Sequence, residues 1–287
     1  MALFAAGPLQ RRQGGYGRMA QNWKINVWGV RGSMPAPSPG FLKYGGNTSC
    51  FSVDCGEELV VFDAGSGLVN LGRRLTGQRP VHLFIGHVHM DHLMGLFLFP
   101  LFYCPGARIR LYGEARGGVP FRQQLEALIG PPYWPVGFAD FPADVTFHEI
   151  GPDQSIPLPG GRTVRTMRGN HPNQGLLFRL DGAGRSVAYT LDCELTEELR
   201  PRLTEFCRDA GILIWDANFT TQDLSSHLGW GHSSLEQGIA LARDAGAGLL
   251  LLTHYNFTYT DDFLWERERA IRSPAVRFAR EGMEVSL

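Results

Sequence analysis

The chain has 287 residues, a formal net charge of −1, and 44% hydrophobic against 19% charged residues. This composition allows a large packed core and excludes a chain that is disordered throughout, while the near-neutral charge argues against a dedicated nucleic-acid binder. The five cysteines are an odd number without CxxC spacing, so we expect free thiols in a reducing compartment, the cytoplasm.

Ordered patterning begins near Lys24. We expect residues 1–22 to form a flexible leader, with translation from Met19 as the alternative, and residues 23–287 to form a single domain. No apolar run reaches the roughly 20 residues that a membrane-spanning helix needs, so no membrane partner is expected.

Short apolar runs, bounded by Gly and Pro, predict strands in both halves of the chain. They lie at 25–30, 50–54, 58–62, 81–85, 108–112, 145–150, 163–167, 176–180, 186–190, 212–215 and 249–252. Helical spacing predicts helices at 68–75, 121–129, 196–209, 235–245 and 262–280. Strands in both halves, with helices between and after them, predict an α/β architecture of two sheets covered by helices.

The most informative motif is His87-Val88-His89-Met90-Asp91-His92, directly after a predicted buried strand. Residues i and i+2 of an extended segment project to one side, so His87 and His89 could bind one ion together. Asp91 and His92 lie where the chain is expected to turn into a helix beginning near Leu93, and could face a second ion. Imidazole and carboxylate ligands suit Zn²⁺, and also Mn²⁺ or Fe²⁺. A surface histidine cluster is the less favoured interpretation.

Four side chains do not complete the coordination of two ions. Three further candidates, His171, Asp192 and His254, each follow a strand-like run. Each also has a structural alternative when taken alone: a capped turn, a helix N-cap and a packed histidine.

These motifs together resemble the metallo-β-lactamase-fold hydrolase superfamily over nearly the whole chain after Lys24. The segments that carry the resemblance are FDAGSG with Asp63, HVHMDH, GNHP with His171, TLDCE with Asp192, and LTHY with His254. The resemblance implies an α/β fold, a four-layer αββα sandwich, with the site at the edges of the sheets.

The resemblance also implies which residues bind which ion. His87, His89 and His171 would hold the first metal, Asp91, His92 and His254 the second, and Asp192 would bridge them. Asp63 would orient a ligand of the HVHMDH loop by a hydrogen bond. The expected cofactors are two divalent ions, zinc first, with manganese or iron as alternatives.

Three further segments, GVRGS (29–33), YGGNTSC (44–50) and GWGHSS (229–234), resemble the phosphodiesterase-like branch of this superfamily. That branch includes ribonuclease Z-like proteins and cyclic-phosphate phosphodiesterases. The resemblance implies that His232 faces the substrate phosphate as a general acid. Alternatively, Ser233 or Ser234 simply caps the helix that follows, and both interpretations can hold together.

Several residues near these motifs are assigned less specific roles. His82 and His148 are expected to be structural, and Cys193 to pack in the core. His227 is weakly expected to line the site. Asn47 and Ser49 either set a loop near the site or cap a strand end.

The predicted function is hydrolysis of a small phosphodiester, a cyclic nucleotide or another cyclic phosphate, by a hydroxide that bridges the two metals. Asp91 and His232 are the predicted catalytic residues. The alternatives are a lactone, ester or thioester hydrolase of the same fold, and a catalytically idle metal-binding scaffold. The expected partners are a small-molecule substrate and a second copy of the chain in a homodimer, whereas nucleic acid is disfavoured.

Overall fold

The apolar runs form two seven-stranded sheets in the computed structural model, which describes residues 22–287. Apart from its last residue, the predicted leader lies outside the described residues, so its boundary stays a prediction. The strands of residues 22–287 are β1 (Lys24–Gly29), β2 (Cys50–Asp54), β3 (Leu59–Phe62), β4 (Val81–Phe84), β5 (Arg108–Gly113), β6 (Asp144–Glu149), β7 (Ser155–Leu158), β8 (Arg162–Gly169), β9 (Gly175–Gly182), β10 (Arg185–Thr190), β11 (Ile212–Asp216), β12 (Leu249–Thr253), β13 (Val276–Phe278) and β14 (Glu284–Ser286).

Six α-helices accompany these strands in the described part of the chain. They are α1 (Leu68–Gly72), α2 (Phe121–Glu126), α3 (Arg200–Phe206), α4 (Thr221–Leu224), α5 (Leu235–Ala245) and α6 (Asp261–Ala270). Short 3₁₀ turns occur at Pro39–Phe41, Met90–His92, Leu96–Leu98, Pro100–Tyr103 and Phe138–Asp140.

Each sheet has an antiparallel half and a parallel half. The first sheet has the order β14-β1-β2-β3-β4-β5-β6, and its strands are parallel from β3 to β6. The second has the order β13-β12-β11-β10-β9-β8-β7, and its strands are parallel from β10 to β13. In both sheets, therefore, the carboxyl ends of several parallel strands meet at one edge, which is where ligands bind in open α/β sheets.

Alternation along β3 shows how the layers are divided. Val60 and Phe62 belong to the core between the sheets, whereas Leu59 and Val61 face the helices on the outer side. A strand buried on both faces needs a continuous apolar run, as this sequence has. Leu68 of α1 and Phe121 of α2 pack on that outer face, and α5 packs on β11 and β12 of the other sheet. The predicted αββα sandwich is confirmed.

The structure corrects the secondary structure predicted for the last part of the chain. Residues 262–280 do not form one helix, because α6 ends at Ala270 and Val276–Phe278 forms the edge strand β13 beside β12. Pro274 explains the break, since it lacks a backbone N–H and disfavours helical conformation at the preceding residue. The strands β7, β13 and β14 were absent from the sequence prediction.

The prediction of a helix beginning near Leu93 is also wrong, because short 3₁₀ turns occupy this segment. The backbone N–H of Gly95 donates to the carbonyl of Ala64 at 2.8 Å instead of to a carbonyl one turn earlier. The helix predicted at 196–209 is shorter and begins at Arg200. No helix in residues 22–287 is long and apolar enough to cross a membrane, and none of the five cysteines, all within that range, forms a disulfide.

Aromatic rings join the two sheets. Phe178 of β9 stacks on Phe62 of β3 with ring centroids 5.7 Å apart, and meets Phe84 of β4 edge to face at 5.5 Å. All three rings are fully buried, so this contact contributes to the interface between the sheets.

We expect Phe178→Ala to lower the free energy of unfolding by about 3–5 kcal/mol, because it leaves a cavity between two sheets that cannot close around it. Chemical denaturation measures this difference. Leu42→Ala, at a side chain that is 79% exposed, is the control and should change stability by less than about 0.5 kcal/mol. Equal effects of the two substitutions would contradict this account of the interface.

Candidate metal centre

The ends of the parallel strands place the predicted ligands at one edge of the sandwich. Asp63 directly follows β3 and His87 follows β4 in the first sheet. Asp192 follows β10 and His254 directly follows β12 in the second. The two sheets therefore contribute ligands from equivalent positions, although these residues are far apart in sequence.

Three of these residues have left-handed backbone conformations. The φ angles are 59° at Asp63, 56° at Asp192 and 58° at His254. This conformation costs roughly 1–2 kcal/mol for a residue with a Cβ atom, and Asp and His are among the side chains that adopt it most readily. Such local strain is typical of functional sites, and here it turns each chain sharply at the end of its strand.

The structure brings all seven predicted ligands together in two groups. His87, His89 and His171 form the first, and Asp91, His92, Asp192 and His254 form the second. Within each group, one possible ligand atom of every residue lies within 4.8 Å of the others. The second group is entirely buried, whereas His89 of the first is partly exposed.

The carboxylate of Asp192 lies between the two groups. Its Oδ1 is 3.1 Å from Nε2 of His92 and 3.2 Å from Nε2 of His254. Its Oδ2 is 3.7 Å from Nε2 of both His87 and His171. Each oxygen thus faces one group, which is the position that a bridging ligand would need.

Three of the histidines are oriented by a partner on their other ring nitrogen. Nδ1 of His92 lies 2.7 Å from Asp63 Oδ2, and Nδ1 of His171 lies 2.9 Å from the carbonyl of Gly231. Nδ1 of His254 lies 2.8 Å from Ser49 Oγ. These contacts leave each Nε2 directed at the cluster, as in metal sites where an outer partner fixes the tautomer of the ligand.

The atoms that point into the cluster are those expected to bind a metal. Nε2 of His87, His92 and His254, and Oδ1 of Asp192, are buried and have no hydrogen-bond partner among the residues described. Leaving such atoms unpaired is unfavourable, and a divalent cation would satisfy them. Imidazole nitrogens and carboxylates are donors suited to zinc, so the residues present fit the expected ions.

Local electrostatics differ between the two groups. Burial is the main cause that lowers the pKa of His87, His89 and His171, so these rings are neutral, as metal binding requires. Burial opposes the charged form of His92 as well, but Asp192, Asp91 and Asp63 outweigh it and hold its pKa well above the ordinary value. A metal bound there would displace the proton of His92.

Asp63 connects the HVHMDH loop to the second sheet. Its Oδ2 accepts a hydrogen bond from the Tyr189 hydroxyl at 2.7 Å, and its Oδ1 accepts one from the backbone N–H of Gly86 at 2.8 Å. Together with the contact to His92, these bonds place Asp63 outside the ligand groups and against one predicted ligand.

His232 lies at the edge of the second group, and with Asp192, Asp216 and His254 it forms a third set whose possible ligand atoms lie within 4.8 Å of one another. Its ring centroid is 5.3 Å from those of His171 and His254, and its Nδ1 is 2.8 Å from Oδ2 of the fully buried Asp216. Burial lowers the pKa of His232, but the charge and hydrogen bond of Asp216, followed by Asp192 and Asp91, raise it to about 9. Asp216 is thus the main group that favours the charged form of this ring.

The helix-capping alternative holds at the same place. Ser234 is the N-cap of α5, and its hydroxyl accepts a hydrogen bond from the backbone N–H of Gln237 at 3.1 Å. Gly231 is required here, since a Cβ atom would collide with His171 and Pro172. His232 is thus fixed by a capped helix and by close packing against a predicted ligand.

Sequence reasoning missed Asp216 and left Ser49 undecided. Asp216 ends an apolar run, a position like those of Asp192 and His254, so the same signal was available. Ser49 lies in the GGNTS segment and contacts His254. Asn47, by contrast, donates through Nδ2 to Glu281 at 2.8 Å and accepts from the Ser66 hydroxyl at 2.9 Å.

The remaining candidates are structural in this fold. Nε2 of His82 lies 2.7 Å from Glu58, and the ring of His148 stacks on Tyr112 at 4.7 Å. Nδ1 of His227 contacts the carbonyl of Asp223 at 2.7 Å, and Cys193 is fully buried in the core. Packing and local hydrogen bonds therefore account for these side chains.

A cavity of about 410 Å³ opens beside the first group. The residues that line it are His87, Val88, His89, Arg116, Gly117, Asn173 and Gln174. It gives a small molecule access to the first group.

Comparisons with known proteins identify the family and the fold. The family model described as "Beta-lactamase superfamily domain" matches residues 58–255. The chain is 27% identical to the probable metallo-hydrolase YhfI of Bacillus subtilis (strain 168), over 90% of this chain and 98% of that protein. It is 25% identical to a ribonuclease Z of Azobacteroides pseudotrichonymphae genomovar. CFP2, over 92% and 98%. The crystal structure of the B. subtilis YhfI superposes with a TM-score of 0.71 at 23% identity, covering 93% of this chain and 99% of that one.

We expect Asp63→Asn to weaken metal binding by about 10–100-fold, because the amide no longer accepts a charge-assisted bond from His92. Competition with a chromophoric chelator measures the affinity. Asparagine tolerates the left-handed backbone of this position, so the fold should survive. Tyr189→Phe, which removes a hydroxyl from the same carboxylate, is the matched control and should bind metal nearly normally. An unchanged affinity in Asp63→Asn would rule out the orienting role.

Proposed function

The chain belongs to the beta-lactamase superfamily and is a metallohydrolase of the metallo-β-lactamase fold, and from this premise we propose that it is a phosphodiesterase acting on small substrates. The proposal includes two divalent ions, zinc first, held by the seven ligands described above. It rests above all on His232, a buried side chain that Asp216 holds beside the two ligand groups.

The position of His232 suits a general acid. Asp216 holds its Nδ1, which leaves Nε2 to carry the proton that a departing oxygen needs. The metal ions, when bound, would activate water and stabilise negative charge on the reacting group. A protonated imidazole beside them favours an anionic substrate, since it adds positive charge where a phosphodiester would lie.

Asp91 is assigned to the same reaction. Its Oδ2 lies 3.3 Å from Nε2 of His92 and accepts a hydrogen bond from the backbone N–H of Ser33 at 2.8 Å. The contact with Ser33 fixes the carboxylate at the second group, where we propose that it serves as a ligand and accepts a proton from the attacking water.

The size of the substrate follows from the cavity and the charge. A space of about 410 Å³ beside His87 and His89 suits a nucleotide-sized molecule. The net charge of −1 lacks the basic excess of a nucleic-acid binder, although several relatives are named ribonuclease Z. Cyclic nucleotides and other cyclic phosphates are therefore the proposed substrates. The cytoplasmic location and the homodimer remain predictions.

We expect the zinc-loaded protein to hydrolyse 2′,3′- or 3′,5′-cyclic nucleotides and bis-p-nitrophenyl phosphate, and chelation to abolish this activity. A substrate panel that adds lactones, a thioester and an RNA oligonucleotide measures the preference. Faster turnover of a lactone or thioester would favour the carbon-ester alternative. A protein that binds metal but turns over no substrate of the panel would favour the scaffold alternative.

We expect His232→Ala to lower the turnover of a cyclic nucleotide by about 10²–10⁴-fold, because its alkoxide leaving group needs a proton. The loss should be smaller with bis-p-nitrophenyl phosphate, since p-nitrophenolate leaves readily without one. Metal content, measured by elemental analysis, should not change. His227→Ala, a histidine of the same segment, is the matched control. Loss of metal from His232→Ala would show that His232 is a ligand and would refute its role as an acid.

A further inference from the structure

Arg116 lies in a tight turn after β5 that the proposed reaction does not use. Its backbone exchanges hydrogen bonds with Val119, N–H to carbonyl in both directions, at 3.0 and 2.9 Å. Between them, Gly117 and Gly118 have φ angles of 57° and 76°, the left-handed pair of a tight hairpin turn that favours glycine. The turn therefore fixes the point from which the Arg116 side chain extends.

The guanidinium of Arg116 donates to three backbone carbonyls. Nη2 donates to the carbonyl of Gly86 at 2.9 Å, and Nη1 donates to the carbonyls of Asn173, at 2.5 Å, and Gln174. Gly86 directly precedes His87, and Asn173 is two residues after His171. One side chain thus joins the two segments that supply the first ligand group.

The segment after His171 has a strained backbone, and the hydrogen bonds from Arg116 stabilise it. Asn173 and Gln174 have φ angles of 60° and 69°, so two consecutive residues with Cβ atoms are left-handed. A hydrogen bond from the Gln174 N–H to the His171 carbonyl, at 2.9 Å, closes the turn. The conformation directs the carbonyls of both left-handed residues to the same guanidinium, which compensates their partial negative charge.

We propose that Arg116 is a positioning residue for the first metal ion, holding the turn after His171 against the start of the HVHMDH loop. It acts through these backbone segments and is not a metal ligand, although it also lines the cavity beside the first group. The inference rests on the metal-binding part of the proposed function, but it does not depend on the type of bond that is hydrolysed.

The surroundings of Arg116 match this role. Its side chain is 10% exposed, and its Nη2 lies 3.3 Å from Oε2 of Glu114. Arg168 binds the same carboxylate, with Nη1 2.6 Å from Oε2, but it makes none of the contacts to Gly86, Asn173 or Gln174 described above. Arg168 therefore offers a matched control, an arginine on the same acid whose side chain does not join the two ligand segments.

The test is a Zn²⁺ titration of the apoprotein against a competing chelator, with Arg116→Met and Arg168→Met compared to the unchanged chain. We expect the unchanged chain and Arg168→Met to bind two ions with the same affinities. Arg116→Met should lose at least about tenfold in affinity for one ion only, which matches the effect of removing an outer partner. Arg116→Lys, which keeps the charge but has one nitrogen for three carbonyls, should show a smaller loss and serves where Arg116→Met does not fold.

Hydrogen exchange of the apoprotein gives a second readout, independent of metal and activity. The Gln174 amide should exchange faster in Arg116→Met and not in Arg168→Met. Unchanged affinities for both ions, or an equal loss for both, would overturn the inference, the second because it indicates general damage. If the unchanged chain binds no zinc, the proposed function itself fails, which is a different outcome.

Discussion

The carboxylate of Asp192 is the interaction on which the rest of the site depends. Its two oxygens face different histidine groups, from 3.1 to 3.7 Å away. A buried carboxylate that lacked compensating charge would be strongly unfavourable, so both groups must stay in place around it. The left-handed backbone at Asp192 sets this position at the end of a central strand, and the rigid sheet beneath it contributes the necessary precision.

Both sheets place residues at the site by the same backbone geometry. A parallel strand ends, a left-handed Asp or His follows, and its side chain turns toward the interface between the sheets. Asp63 in the first sheet and His254 in the second show this directly. The strain at these residues is offset by the cores on both faces of each strand, which is why a large sandwich can maintain a site that would not form on an isolated hairpin.

The clustering of the candidate ligands could be predicted from the sequence because they follow apolar runs and four of them lie within six residues. Ser49 and Arg116 could not be predicted in the same way, since they meet their targets only through tertiary packing, whereas Asp216 ends an apolar run and could have been found by the same signal. The strand β13 was missed for another reason: three residues are too few to show a period beside a charged helix. Sequence patterns thus predict the residues that one strand or helix carries better than the contacts between elements that are distant in sequence.

The two ligand groups differ in what holds them together. The second is fully buried and contains Asp91 and Asp192, with Asp63 behind His92, so carboxylate charge favours a cation there directly. The first has only neutral histidines, shares Asp192 at a longer distance, and borders the open cavity. Its affinity must therefore depend more on the preorganisation of the backbone than on charge. This asymmetry is consistent with a scaffold contact such as that of Arg116 beside the first group, at the edge of the cavity.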